Sequence, residues 1–276
     1  MRFNLHREFG ALNSRPVFDA FEQGLKSLGH SISEDGVPVI WSVLWNGRMA
    51  QNKKIYENCA NIRKNIIIIE VGNLKRNETW RISIGHINRL GQFANENGLD
   101  LNRPEKLGVF LKDKVENRRP EILIATQHQR SLQWEGQPPM DTWVKQTVDK
   151  IRQYSDRDIV VRPHPRSPMS LNLPGVRVET PKQIPGTYDD FDIDYRYHCV
   201  VNHNSGPALQ AAINGVPCIC DITSLAYPVS SRFEEIEEIS LPVREDWFLK
   251  LCHTEWTVDE IAQGIPLKRL EPFIYG

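Results

Sequence analysis

Along the first part of the chain, short runs of apolar residues alternate with longer stretches in which apolar residues recur every third or fourth position. Residues 1–6 alternate as a short strand, and 7–15 form a loop. Ser14 or Asn13 is placed to cap a helix and Pro16 suits its first turn. Val17, Phe18, Phe21, Leu25 and Leu28 then repeat at helical spacing until Gly29 stops the helix. Residues 38–45 read as a second strand and 48–62 as a helix. Residues 65–71, with four consecutive isoleucines, read as a strand buried on both faces. Residues 85–97 read as a further helix. The polar stretch 102–120, marked by Pro104 and Pro120, reads as a linker.

After the linker the rhythm restarts. Strands are expected at 121–126, 158–162, 176–179, 199–202 and 216–221, with helices at 140–154 and 206–214. The tail, 244–273, reads as helical, with Thr257 and Glu260 spaced as a capping box. This alternation predicts an α/β protein of two Rossmann-like doubly wound domains facing a cleft, residues 1–118 and 119–276, with ligands beyond the carboxyl ends of the strands.

Composition adds exclusions. Apolar residues make up 40% and charged residues 25%, as in a soluble globular chain. No apolar run approaches the roughly 20 residues of a membrane span. The first residues lack the apolar core of a signal peptide, so a cytoplasmic protein is expected. The five cysteines are scattered. Cys218 and Cys220 have strand spacing inside an apolar run and read as reduced core thiols, since a zinc site would want two such clusters.

The net charge of −1 hides an asymmetry. Residues 1–118 carry 18 Lys and Arg against 13 Asp and Glu, a net of +5; the remainder carries 16 against 22, a net of −6. Nine basic residues fall within 48–89, near Trp41, Trp45 and Trp80. That combination suits a polyanion, with the aromatic rings placed to stack beside an extruded base. An ordinary solvated helix face and core tryptophans are the plain alternatives.

Four constellations could carry chemistry. In the first, a strand ends at Asn202, and Ser205-Gly206 opens a helix closed by Asn214-Gly215. Its positive end favours an anion, Gly206 permits close approach, and Gln210 lies one turn inside. The second is Arg162-Pro163-His164-Pro165-Arg166, where prolines fix the imidazole and arginines can fork onto phosphate oxygens. The third is the donor-rich segment 126–131, including Gln129 and Arg130. The fourth is Glu70, a carboxylate in an apolar strand and a candidate general base, with Glu8, Asp19 and His86 as rivals. Phosphate-loop, dinucleotide, nucleophile-elbow and zinc-protease motifs are absent. The acidic run 189–194 lacks the pattern of a calcium loop and reads as a solvated turn.

His164-Pro165 followed by Ser205-Gly206…Gly215-Val216-Pro217 resembles glycosyltransferases of the GT-B fold, those related to capsule and Kdo transferases. The resemblance implies that these segments bind the nucleotide diphosphate of a nucleotide-sugar, UDP- or other NDP-linked, with no bound metal or other cofactor. Many relatives carry Glu where this chain has Gln210, on the ribose; the amide bears on donor preference. The tail, from Trp247 through Glu255-Trp256-Thr257 to Gly264, resembles small phage-encoded sugar transferases that decorate DNA bases.

The expectation is therefore a sugar transferase with His164 and Glu70 as catalytic residues. Gln129, Arg130, Arg162, His164, Arg166, Asn204, Ser205, Gly206 and Gln210 would hold the donor. The acceptor would be a hydroxylated or hydroxymethylated pyrimidine in double-stranded phage DNA, in the cytoplasm of a bacterial host. The alternatives are a bacterial surface glycan as acceptor, a non-catalytic nucleotide-sugar or nucleic-acid binding protein, and a nucleotide-sugar epimerase.

Overall fold

The computed structural model describes residues 1–186 and 191–274. The chain forms two units: residues 1–109 and 130–132, with the tail from 249, make the first, and residues 110–129 and 133–248 the second.

The first unit opens with β1 (Arg2–Leu5), α1 (Arg15–Ser27), β2 (Ser31–Ile32), β3 (Val37–Trp41), α2 (Asn52–Asn61), β4 (Ile67–Val71), β5 (Trp80–Ile84) and α3 (Arg103–Leu107). The sheet runs β2-β1-β3-β4-β5, parallel except for β5. Alternation along the strands explains the isoleucine run. Ile67 and Ile69 pack with Val39, Trp41 and the Val17, Phe18, Phe21 and Leu25 stripe of α1. Ile68, with Ile40 and Val43, packs on the other face against Cys59, Ile55 and Tyr56 of α2.

Strand β5 was not among the expected elements because Arg81 and Ser83 interrupt it. Arg81 is buried, and its guanidinium donates to the carbonyls of Val71 and Ile87; Ser83 donates to that of His86. Backbone acceptors thus neutralise the polarity that disguised the strand. Residues 85–97, expected as a helix, form turns instead. Gln92 bridges back to Ile84, and the Asn88 side chain accepts from the Leu90 N–H, a local bond that competes with helix.

The second unit holds β6 (Ile122–Ala125), α4 (Met140–Arg152), β7 (Ile159–Arg162), β8 (Val176–Val178), the pair β9 (Lys182–Gln183) and β10 (Phe191–Asp192), β11 (Cys199–Asn202), α5 (Gly206–Ile213), β12 (Cys218–Cys220) and the first half of α6 (Glu245–Cys252), whose residues from 249 count with the first unit. Its five-stranded sheet is wholly parallel, in the order β12-β11-β6-β7-β8. Counted from β6, that is the 3-2-1-4-5 order of a doubly wound sheet, whose switch point lies between β6 and β11. Ile122, Ile124, Val161, Val201 and Ile219 meet Val144, Val148 and Ile151 of α4 in its core.

The tail, expected with the second domain, packs on the first unit. Strand β13 (Glu255–Trp256) extends the sheet antiparallel to β5, and α7 (Val258–Ala262) and α8 (Ile265–Leu270) follow. Trp256, Ile261, Leu267 and Leu270 join the core under α1. Contact with α1 is close: a Cβ on Gly24 would lie 2.3 Å from the Ile261 carbonyl oxygen. Arg103 clamps the tail through Glu260 and stacks 4.0 Å above the Trp256 ring. The expected capping box of Thr257 and Glu260 is present.

Candidate functional site

In the second unit the switch point assembles the two main constellations. Thr126 and Gln127 follow β6 directly. The Thr126 hydroxyl accepts the His164 backbone N–H at 2.9 Å, at the end of β7. Gln127 reaches the other way: its amide donates to Asn204 Oδ1 at 3.0 Å and accepts the Asn204 N–H at 3.2 Å, after β11. Two consecutive side chains thus tie both loops to one strand end. His164 and Ser205 follow β7 and β11, the two strands that flank β6.

The histidine is oriented further. The Arg166 backbone N–H donates to His164 Nδ1 at 3.1 Å, and the Ser167 N–H to the His164 carbonyl at 2.8 Å. With Nδ1 accepting, the neutral ring carries its proton on Nε2 and offers a donor there. The ring is half-buried, with His128 edge-on at 5.6 Å.

Helix α5 is held at both ends. Asn202 accepts the Ser205 N–H at 2.9 Å and its amide donates to the Ser205 hydroxyl at 3.0 Å. Ser205 therefore turns to Asn202 and makes no side-chain cap bond to the helix. The first N–H groups of the helix, Gly206 and Ala208 among them, are the donors available to an anion. At the far end the Arg244 guanidinium donates to the carbonyls of Ala212 and Lys112, a cation at the negative helix pole. Gly215 takes φ +80°, and a Cβ there would lie 1.9 Å from the Asp113 carbonyl oxygen.

Several expected ligands are engaged within the unit. Arg162 is buried; its guanidinium donates to the Asp194 carbonyl, Glu179 and the Tyr197 hydroxyl at 2.9–3.3 Å. Burial pushes the Glu179 carboxyl up, but hydrogen bonds from Tyr197 and Arg177 and the charge of Arg162 hold it below its ordinary value. That set makes Arg162 an anchor of β7. Asn204 is buried and bonded to Gln127, Gln133 and Thr223. Gln129 accepts the first N–H of α4, that of Met140. Arg166 is exposed, and Gln210 is half-buried on α5. Thr126 and Gln127 belong to the donor-rich segment that the sequence singles out, though they are not among the expected donor ligands; Gln133 is outside every expected constellation. Position directly after a central strand is the signal for the first two; Gln133, in an irregular loop, has none.

Two expected residues belong to the first unit. Arg130 accepts the Trp45 N–H through its carbonyl and donates to Asn46, both in that unit. Glu70, near the end of β4, accepts from the Ser42 hydroxyl at 2.7 Å and from the Val71 N–H at 3.0 Å. Ser42 adopts φ +64°, a left-handed conformation unusual for serine, and also accepts the Leu44 N–H.

The stacking tryptophans are corrected: Trp41 and Trp80 lie in the core, and Trp45 packs against Tyr56. The basic stretch is also partly spent. Arg81 is buried, Lys53 and Lys75 pair with Glu57 and Glu78, and Lys64 donates to the Asp35 carbonyl. Among the described residues no group of three His, Cys, Asp or Glu is placed to hold a metal ion. Asp189 and Asp190 of the acidic run lie outside the described residues. No described helix is long and apolar enough to cross a membrane.

Fold and site together define an α/β protein that gathers the His164 loop and the start of α5 at the switch point of its second sheet. No protein-family profile matches the chain, and no curated sequence matches it. Among solved structures it is similar to two Thermosulfurimonas dismutans KpsC transferases. To the β-Kdo 2,4-transferase the TM-score is 0.51 at 13% identity, covering 91% of this chain and 89% of that one. To the β-Kdo 2,7-transferase it is 0.50 at 13% identity, covering 97% and 99%. The likeness is one of fold. Neither of these two is a DNA-modifying enzyme by its description.

Proposed function

We propose that the protein is a glycosyltransferase that takes a sugar from a nucleotide-linked donor held by its second unit. The observation that carries this reading is the Thr126-Gln127 tie, which brings an oriented imidazole donor and the uncapped start of α5 to one strand edge. In this reading the α5 N–H groups and Ser205 bind the donor phosphate. His164 Nε2–H and Arg166 stabilise the charge that grows on the leaving nucleotide, and the Gln210 amide reaches the ribose. Glu70, steadied by Ser42, takes the proton of the acceptor hydroxyl.

A glycan acceptor of the bacterial surface type is favoured over DNA. The fold likeness to two Kdo transferases supports it, and two of the three rings meant to stack on an extruded base, Trp41 and Trp80, are in the core. A thermal-shift panel of nucleoside monophosphate- and diphosphate-linked sugars tests the donor half. One class is expected to raise the melting point of the native chain and to do so less in His164→Ala. A panel in which no nucleotide-sugar binds removes the reading. For the acceptor, duplex DNA is expected to give no shifted band even at low salt; tight, salt-sensitive binding would restore the DNA reading.

A further inference from the structure

Among the described residues four that are not glycine have positive φ, and Ser42 is the buried one of them. Arg63 follows the end of α2 and Asn77 lies in a turn, both exposed. Ser42 instead directly follows β3, beside Glu70 of β4, since Trp41 and Ile69 are partners in the register. Its own N–H still bonds the Ile69 carbonyl at 2.7 Å. A left-handed backbone is easy for glycine and strained for serine. What glycine would lack at this position is the hydroxyl.

That hydroxyl makes two bonds. It donates to Glu70 Oε2 at 2.7 Å and accepts the Leu44 N–H at 3.1 Å, so its proton is committed to the carboxylate. The turn at Ser42 also sets the Val43 N–H 3.5 Å from the same Oε2. Oε1 accepts the Val71 N–H at 3.0 Å. A carboxylate oxygen has two lone-pair directions, so Oε1 keeps one for a further donor. The peptide before Ser42 is pinned as well. Asn52, fully buried at the start of α2, donates through its amide to the Trp41 carbonyl at 2.6 Å and to the Phe9 carbonyl at 3.4 Å. Asn52 thus fixes the peptide that turns Ser42, and Ser42 fixes Glu70.

We propose that Ser42 is a positioning residue, kept in a strained backbone so that its hydroxyl holds Glu70 Oε2 and leaves Oε1 to take the acceptor proton. This rests on the reading of Glu70 as the base. The acceptor hydroxyl gives its proton to Oε1 as its oxygen bonds the anomeric carbon of the sugar. The electron pair of the broken carbon–oxygen bond leaves on the nucleotide, so no further reactant is required. Without the Ser42 hydroxyl the carboxylate turns about its last torsion, which is broad and roughly two-fold, and the reacting geometry is lost.

The experiment uses the full chain with the panel of nucleoside monophosphate- and diphosphate-linked sugars. Glucose-, galactose- and N-acetylglucosamine-terminated oligosaccharides serve as acceptors, and nucleotide release is followed. Ser42→Ala is expected to lower kcat at least about tenfold, with KM for both substrates within about twofold of the unaltered chain. Glu70→Gln is expected to lose about 10²-fold. The double variant should be no slower than Glu70→Gln alone, because Ser42 acts only through that carboxylate. Ser42→Gly should melt above Ser42→Ala, since glycine relieves the left-handed backbone, yet recover none of the rate. A wild-type rate in Ser42→Ala, a rate that recovers with the melting point in Ser42→Gly, or a double variant slower by the full Ser42→Ala factor would overturn the role of Ser42. The melting order needs no substrate, and Ser42→Gly melting below Ser42→Ala overturns the strain. A wild-type rate in Glu70→Gln is a separate result, which removes the base reading itself.

Discussion

The two units are built on one β/α rhythm but finish their sheets differently. The first turns antiparallel at β5, and the tail adds β13 and two helices against its core. The five-stranded sheet of the second stays parallel throughout, and polar residues gather at its carboxyl edge around β6. In the first unit, large aromatics near the charged stretch serve packing; in the second, polar side chains serve to position one another. The contrast separates residues that hold a unit together from those that present chemistry, and substitutions can test that separation.

The largest effect is expected in the first unit. Trp256→Ala removes a buried indole from between Arg103 and the core and should cost about 3–5 kcal/mol of stability in a urea titration. A loss under about 1 kcal/mol would mean that the tail does not seal the unit. His164→Ala comes next. In a transfer assay it should lower the rate roughly 10²-fold, equivalent to about 2.7 kcal/mol of barrier, with little change in melting temperature. A wild-type rate would remove His164 from the chemistry.

Arg162→Met should show the reverse pattern to His164→Ala, a loss of about 2 kcal/mol of stability. That is less than for a fully buried pair, because Glu179 is partly exposed and keeps Arg177. Unchanged stability with lost donor binding would return Arg162 to the site. The smallest effect is on pH. Burial lowers the pKa of His198, His203 and His253, so the unfolded chain binds more protons than the folded one below about pH 6.5. Stability present above that pH is lost as the pH falls toward the lowered folded values. The melting temperature should decline there, less steeply in His203→Gln.

Arg162 and His164 show how far the sequence reads. Both stand at the end of one strand, on either side of Pro163, and local chemistry treats both as phosphate ligands. Glu179, Tyr197 and Asp194, distant in the chain, draw the first inward; Thr126 and the Arg166 backbone hold the second at the edge. Asn204 and Gln129 likewise looked like ligands and serve as loop ties and a helix cap.

The sequence by itself determined the elements whose burial needs only a repeating pattern: the strand at 199–202, the helices at 15–27 and 140–152, the capping box of the tail, and the β/α order that makes a parallel sheet. Periodicity reports which face of an element is apolar, and that property is local. Tertiary structure decided which unit the tail joins, that Arg81 could sit inside a strand, and which of Arg162 and His164 is an anchor. Each of those outcomes depends on partners far along the chain, because a buried charge or an apolar edge is stable only once its complement has folded against it.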